Sequence, residues 1–253
     1  MKGLSVAAIV LIAAVLAAEA QRRPARTQAR PAAQAAAREA RQTAIVMDES
    51  LSVLRDRPSL FGNAVQRMRR GRRVQIIGST EADGVRFLRV SAPPSTTGWV
   101  QADAVFLRSS GADEERFVRL VTAADGFSQI DLAIHFLNFY TTSEHRPSIL
   151  LLLGDLLEDT ATRLTREANN RLNRREMAAT AAPLHSYYLN YVSLDRYRRI
   201  GIRFLFNPET RSYHYDGAAW MELTRNHAGT KEAEEAAKRL DELQQKMERT
   251  GES

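Results

Sequence analysis

The sequence predicts a multi-domain protein, with a small all-β unit over residues 43–108 followed by an all-α unit over residues 109–253. Three observations carry this expectation. Short runs of alternating apolar and polar residues, separated by Gly, Pro and Asp-Gly breakers, fill the stretch from Thr43 to Arg108. From Asp113 onward the apolar residues recur at helical spacing instead. Ahead of both lies a segment of Arg, Pro, Ala and Gln that is too polar to bury a face. A length of 253 residues suits two modest domains, and 44% hydrophobic with 26% charged residues is an ordinary globular composition.

The first twenty residues read as a leader. Met1-Lys2, an apolar stretch from Leu4 to Ala18 and the small residues of Ala18-Glu19-Ala20 supply the basic end, apolar core and cleavage site of a secretory signal. Cleavage after Ala20 is expected, and the mature chain is then periplasmic or secreted. An uncleaved anchor is the other reading, but the apolar run is shorter than the roughly 20 residues that cross a bilayer comfortably. The chain has no cysteine, which rules out disulfides, thiolate metal sites, a cysteine nucleophile and a lipidated cysteine.

Residues 21–42 read as a disordered Arg/Ala/Pro-rich linker. Arg22, Arg23, Arg26, Arg30, Arg38 and Arg41 stand against the single acid Glu39, which accounts for most of the chain's net +6. Such a tether suits peripheral contact with anionic surfaces, phospholipid headgroups or wall polymers, and a plain soluble spacer is an equal reading. The basic excess lies in a linker without interleaved aromatics or a basic recognition helix, so no nucleic-acid partner is expected.

Within the β unit, strands are expected at Ala44–Met47, Leu51–Leu54, Val74–Ile77, Phe87–Val90, Gly98–Val100 and Val105–Leu107. Pro58, Gly62, Gly71, Gly78, Asp83-Gly84 and Pro93-Pro94 fall between them. Over these residues the sequence resembles the bacterial SH3 family. The matching stretches are LSVLRDRPS from Leu51, RRGRRVQII through Ile77, FLRV from Phe87 and GWVQADAV from Gly98. The resemblance implies a barrel of five or six strands, with a long loop after the first motif, a turn at Gly71 and closure through Gly98-Trp99-Val100. The sequence departs from the family pattern at Phe87, where a tryptophan is common, and at Leu54, where an arginine is usual. Trp99 suits either an aromatic ligand groove or the packing of the sheet. Arg55, Asp56, Arg57 and Phe61 fall on the long loop and are the candidate binding residues of this unit, because loops on a rigid sheet commonly carry recognition. The basic run Arg67, Arg69, Arg70, Arg72 and Arg73 is either a solvated hairpin tip or a surface for carboxylates.

In the helical unit, Phe117, Leu120 and Val121 share one face, and Ser128 with Asp131 approximates a capping box for a helix reaching Tyr140. Pro147 suits a first helical position. The run from Ser148 to Arg174 then carries Leu150, Leu153, Leu157, Ala161, Leu164, Ala168 and Leu172 on one stripe. Asp155, Glu158 and Asp159 interrupt it too early for a membrane span. Further helices are expected over residues 179–190 and 194–202. The stretch RFLFNPETRSYHY leaves two options open: a break between helices at Asn207-Pro208, or a hairpin pairing Phe204 and Phe206 with Tyr213 and Tyr215. A weak internal repeat relates the helix pair from Asp131 through Leu157 to the pair from Gly217 through Leu243, with Ser143 and Thr230 as caps. There the sequence resembles tetratricopeptide repeats, which implies stacked helix pairs with a concave, partner-holding face. Tyr187, Tyr191 and Tyr215, among several clustered tyrosines, either line that groove or fill an irregular core.

No catalytic pattern stands out. His135, His145, His185, His214 and His227 are scattered, without the spacing that zinc chemistry needs, and no nucleophile elbow or phosphate-binding loop is present. His214 with Asp216, or Glu158 with Asp159, are the pairs an acid/base reading would use, yet such residues are commoner on surfaces and in packing. The sequence therefore predicts an SH3-like β-barrel followed by a tetratricopeptide-like all-α domain in a non-enzymatic envelope binding or scaffolding protein. It predicts no metal and no cofactor, and peptidoglycan, an extended peptide or an envelope protein as partner.

Overall fold

The computed structural model describes residues 42–172 and 183–248. The expected leader, and the tether up to residue 41, lie outside the described residues. The chain divides into two compact units between Ser110 and Gly111.

The first unit is one antiparallel sheet. Its strands are β1 (Thr43–Val46), β2 (Val53–Arg55), β3 (Ala64–Arg67), β4 (Arg73–Ala82), β5 (Val85–Ala92), β6 (Thr96–Gln101) and β7 (Val105–Leu107), with a single 3-10 turn at Ala102–Ala104. They lie in the order β3-β2-β6-β5-β4-β1-β7. The β4–β5 hairpin closes at Asp83-Gly84, where both residues adopt positive φ (54° and 72°), as a two-residue turn between right-twisted strands requires. Alternation then sends Leu88, Val90 and Ala92 of β5 inward with Ala44, Val46, Leu54, Val74 and Val100. Gly98 is fixed by proximity, because a Cβ there would sit 2.7 Å from Leu54 Cγ and 2.8 Å from the Arg55 carbonyl oxygen.

Two expectations need correction here. The unit is an open seven-stranded sheet, not a closed barrel: among the described residues β7 pairs only with β1 and β3 only with β2, so the two edges do not meet. In addition, β3 forms where a loop alone was expected. Its sequence AVQR has no buried alternation, and it becomes a strand because the preceding loop folds it back antiparallel to β2.

The second unit contains α1 (Gly111–Ala123), α2 (Gly126–Phe139), α3 (Arg146–Arg171), α4 (Leu184–Leu189), α5 (Asp195–Arg198), β8 (Phe204–Asn207), β9 (Ser212–Tyr215), α6 (Ala218–Asn226) and α7 (Lys231–Glu248). The predicted stripe of α3 is buried from Leu150 through Ala168, and Pro147 stands in its first turn. Helix α2 starts at Gly126, ahead of the expected Ser128 cap. Thr230 caps α7 as expected, its hydroxyl accepting the Ala233 N–H at 3.2 Å.

The all-α expectation is overturned by the β8–β9 hairpin, in which Phe204 faces Tyr215 and Phe206 faces Tyr213. Asn207 secures its turn by accepting the N–H groups of Glu209 and Thr210, which removes the break that would have separated two helices. The long α3 is central, with α2, β9, α6 and α7 all packed on it. Trp220 of α6 lies flat on Gly154 of α3, where a Cβ would stand 2.2 Å from the indole Nε1.

Candidate functional sites

The loop between β2 and β3 is held almost entirely by hydrogen bonds. The Asp56 carboxylate accepts the Asn63 backbone N–H at 2.9 Å and its side-chain amide at 2.8 Å, while the Asp56 N–H donates to the Asn63 carbonyl. Arg55 Nη1 donates to the Gly62 carbonyl at 2.6 Å. From the β4–β5 turn, Asp83 accepts the Ser59 hydroxyl at 2.7 Å and the Leu60 N–H at 2.8 Å, and Ser59 Oγ in turn accepts the Phe61 N–H. The bond from Asn63 holds the Asp56 carboxyl below its usual range, and that from Ser59 does the same for Asp83.

The consequence is a rigid loop with an exposed apolar tip. Phe61 is 82% exposed, and Leu60 and the β3 residue Val65 are exposed beside it in sequence. The structure thus divides the four sequence-predicted loop residues: Arg55 and Asp56 brace the loop, while Phe61 and the exposed Arg57 are presented on it. Trp99 is half-buried opposite Arg55 in the β2–β6 register. In the basic run, Arg67 donates to the Glu49 carbonyl and Arg72 to that of Pro93, so much of its capacity goes to neighbouring turns.

The tyrosines of the helical unit are buried, apart from the half-buried Tyr187. Tyr191 and Tyr215 are 5% and 2% exposed. The Tyr215 hydroxyl accepts the Ala219 N–H at 2.7 Å, and burial raises its pKa. Tyr187 donates to the Ala168 carbonyl at 3.0 Å. Tyr188 stacks on Phe206 with 4.5 Å between ring centroids, within a cluster that includes Tyr213. Among the described residues these rings pack between the hairpin and α3.

Sequence reasoning missed how the polar residues around α3 are brought together. Glu158 is the hub: Oε1 meets His214 Nδ1 at 3.1 Å and Lys246 Nζ at 3.0 Å, and Oε2 accepts the Tyr215 N–H at 2.9 Å. Burial raises its pKa, but these three donors outweigh burial and hold it down at about 2. His214 Nε2 in turn meets Ser212 Oγ at 2.9 Å. His214 is therefore paired with Glu158, 56 residues away, while Asp216 accepts the Ala218 N–H instead.

Glu158 also lines a cleft of about 290 Å³, together with Asp155 and Asp159 of α3, Trp220 of α6, and Arg239, Glu242, Leu243 and Lys246 of α7. Arg239 bonds Asp155 at 3.2 Å. Burial nevertheless pushes the Asp155 carboxyl above its usual range. Among the described residues no group of three or more His, Cys, Asp or Glu is arranged to hold a metal, and no helix is long and apolar enough to cross a membrane.

No family model matches the chain, and no curated protein or solved structure is significantly similar to it. The bacterial SH3 and tetratricopeptide resemblances accordingly rest on their sequence motifs alone.

Proposed function

We propose that this is an exported envelope binding protein whose sheet unit takes an extended peptide along the free edge of β3, with Phe61 as the apolar anchor. One observation carries the reading: a phenylalanine 82% exposed on a loop whose backbone is already fixed by hydrogen bonds. An exposed aromatic on a preorganised loop loses little conformational freedom on binding, which is how such side chains become dominant contacts. Beside it, β3 pairs only with β2 among the described residues, so its outer backbone groups suit strand addition by a partner. An apolar anchor and a strand edge favour a peptide over the glycan of the wall. Export rests on the leader sequence Met1–Ala20, and the role of the helical unit as holder of a protein partner rests on its helix pairs.

The test is selection of displayed peptides on the wild-type chain, followed by affinity measurement on Phe61→Ala. A loss of about tenfold or more with an unchanged circular dichroism spectrum supports the reading. Peptides that bind both proteins equally, or the absence of any selected peptide, remove it.

A second reading, ester or amide hydrolysis, has one observation in its favour: Ser212, His214 and Glu158 stand in the order nucleophile, base and carboxylate, at 2.9 and 3.1 Å. In that chemistry the Ser212 proton passes to His214 Nε2 as Oγ bonds the carbonyl carbon. The leaving group departs with that proton, and water releases the acyl group. Two features weigh against it: Lys246 and the Tyr215 N–H also engage Glu158, and the cleft is lined by neither Ser212 nor His214. Labelling by a fluorophosphonate that is lost in both Ser212→Ala and His214→Ala supports hydrolysis; no labelling of the wild type excludes it.

A further inference from the structure

The cleft on α3 has an unbalanced charge and an unused donor. Four of its lining carboxylates, Asp155, Glu158, Asp159 and Glu242, face two cations, and both cations are already engaged. Lys246 pairs with Glu158 at 3.0 Å, and Arg239 with Asp155 at 3.2 Å and Glu242 at 3.8 Å. Asp159 has no cation within ion-pair distance among the described residues. Trp220, also lining the cleft, is 1% exposed, and its Nε1 is buried without a hydrogen-bond partner of good geometry, although it lies close enough to Asp155 to act on that carboxyl. A buried donor left unmet is costly, so its position beside a cavity marks a place where an acceptor is wanted.

These features define a ligand. The excess negative charge calls for a cation. A buried N–H beside a carboxylate calls for a group that accepts from one and donates to the other, which a hydroxyl does and an ammonium cannot. A volume of about 290 Å³ lies at the lower end of small-molecule sites, which run to roughly 300–1,000 Å³, and restricts the occupant to about one sugar ring. We infer that the cleft between α3, α6 and α7 binds a small hydroxylated primary amine, with an amino sugar as the matching class. Its ammonium faces Asp159 and Glu242, and a hydroxyl bridges Trp220 Nε1 and Asp155.

The chain has two tryptophans, and they lie in different units: Trp99 in the sheet and Trp220 in the cleft. Their indole N–H resonances in the 15N-labelled protein therefore supply a reporter and an internal control. Glucosamine hydrochloride, titrated at constant ionic strength, is expected to shift the Trp220 resonance saturably and leave that of Trp99 in place. N-acetylglucosamine, which lacks the charge, and ethylammonium, which lacks the hydroxyls, are each expected to bind about tenfold more weakly. Asp159→Asn, an exposed position, is expected to weaken glucosamine about fivefold without altering the melting temperature. An unmoved Trp220 resonance, equal binding of the uncharged sugar or of the bare amine, or an Asp159→Asn protein that binds as tightly as the wild type would each overturn the assignment. The peptide reading of the β2–β3 loop stands or falls separately, because Phe61→Ala leaves this cleft intact.

Discussion

The braced loop of the sheet unit and the charged cleft of the helical unit are both organised by carboxylates, in opposite settings. Asp56 and Asp83 stand in solvent and each collects hydrogen bonds from one turn of backbone. Glu158 is largely buried and collects a histidine, a lysine and a backbone N–H from two other elements. An exposed carboxylate exchanges water for protein donors at little net gain, so it sets shape. A buried one has given up its hydration and depends on its partners, so its loss is felt in stability. The contrast extends to two of the glycines under close contact, Gly154 against a buried indole and Gly98 against a strand backbone.

The largest effect is expected at Gly154. A Cβ there stands 2.2 Å from Trp220 Nε1 and 2.6 Å from Cδ1 and Cε2, and a buried indole has no slack to turn aside. Gly154→Ala is expected to cost about 3 kcal/mol, read from the urea midpoint. A loss below about 1 kcal/mol would mean that the indole swings away and that the cleft floor is not rigid.

Next in size is the pH dependence of Glu158. Its folded pKa of about 2 lies below the ordinary 4.5, so the ionised form stabilises the fold. That contribution is complete above about pH 5, and it disappears as pH falls through about 2. It is on the order of 2–3 kcal/mol at neutral pH. Glu158→Gln is expected to be less stable at pH 7 by this order, with the two stability curves converging between pH 5 and pH 2. Parallel curves over that range would show that the side chain is not the hub described. A change of about 2 kcal/mol is expected for Gly98→Ala, whose Cβ meets a leucine that can shift and a carbonyl that cannot.

The same contrast explains what the sequence disclosed. Features set by local sequence were legible: the break between strands at Asp83-Gly84, the buried stripe of α3 and the Thr230 cap. The grouping of Asp56, Arg57 and Phe61 on one loop was legible, because the flanking strand and breakers bound it, whereas Arg55 proves to be the last residue of β2. Which of them brace and which are presented was not, since that depends on Asn63 and on Asp83, 24 residues beyond Ser59. Sheet closure was not legible, because strand alternation specifies a buried face and says nothing of whether the edges β3 and β7 meet. The pairing of Glu158 with His214 was hidden for a similar reason. Each had a closer charged neighbour in sequence, and only the packing of the hairpin on α3 selects between them.

The smallest expected effect on stability is the most informative about the loop. Asp83 is exposed, and its two bonds hold Ser59 and Leu60 without burying anything. Asp83→Ala should therefore leave the unfolding midpoint within error of the wild type, in contrast to any change at Glu158. The loop should respond nonetheless. Without the carboxylate the Leu60 N–H loses its acceptor, and Ser59 loses the anchor that positions its Oγ beneath the Phe61 N–H. Amide exchange over residues 59–62 is expected to accelerate, while Asn63, held by Asp56, keeps its protection. If peptide affinity falls together with that protection while stability is constant, the loop binds through its preorganisation. If exchange at Leu60 is unchanged, the strand pairing and Asp56 suffice to hold the loop, and Asp83 is only a neighbour.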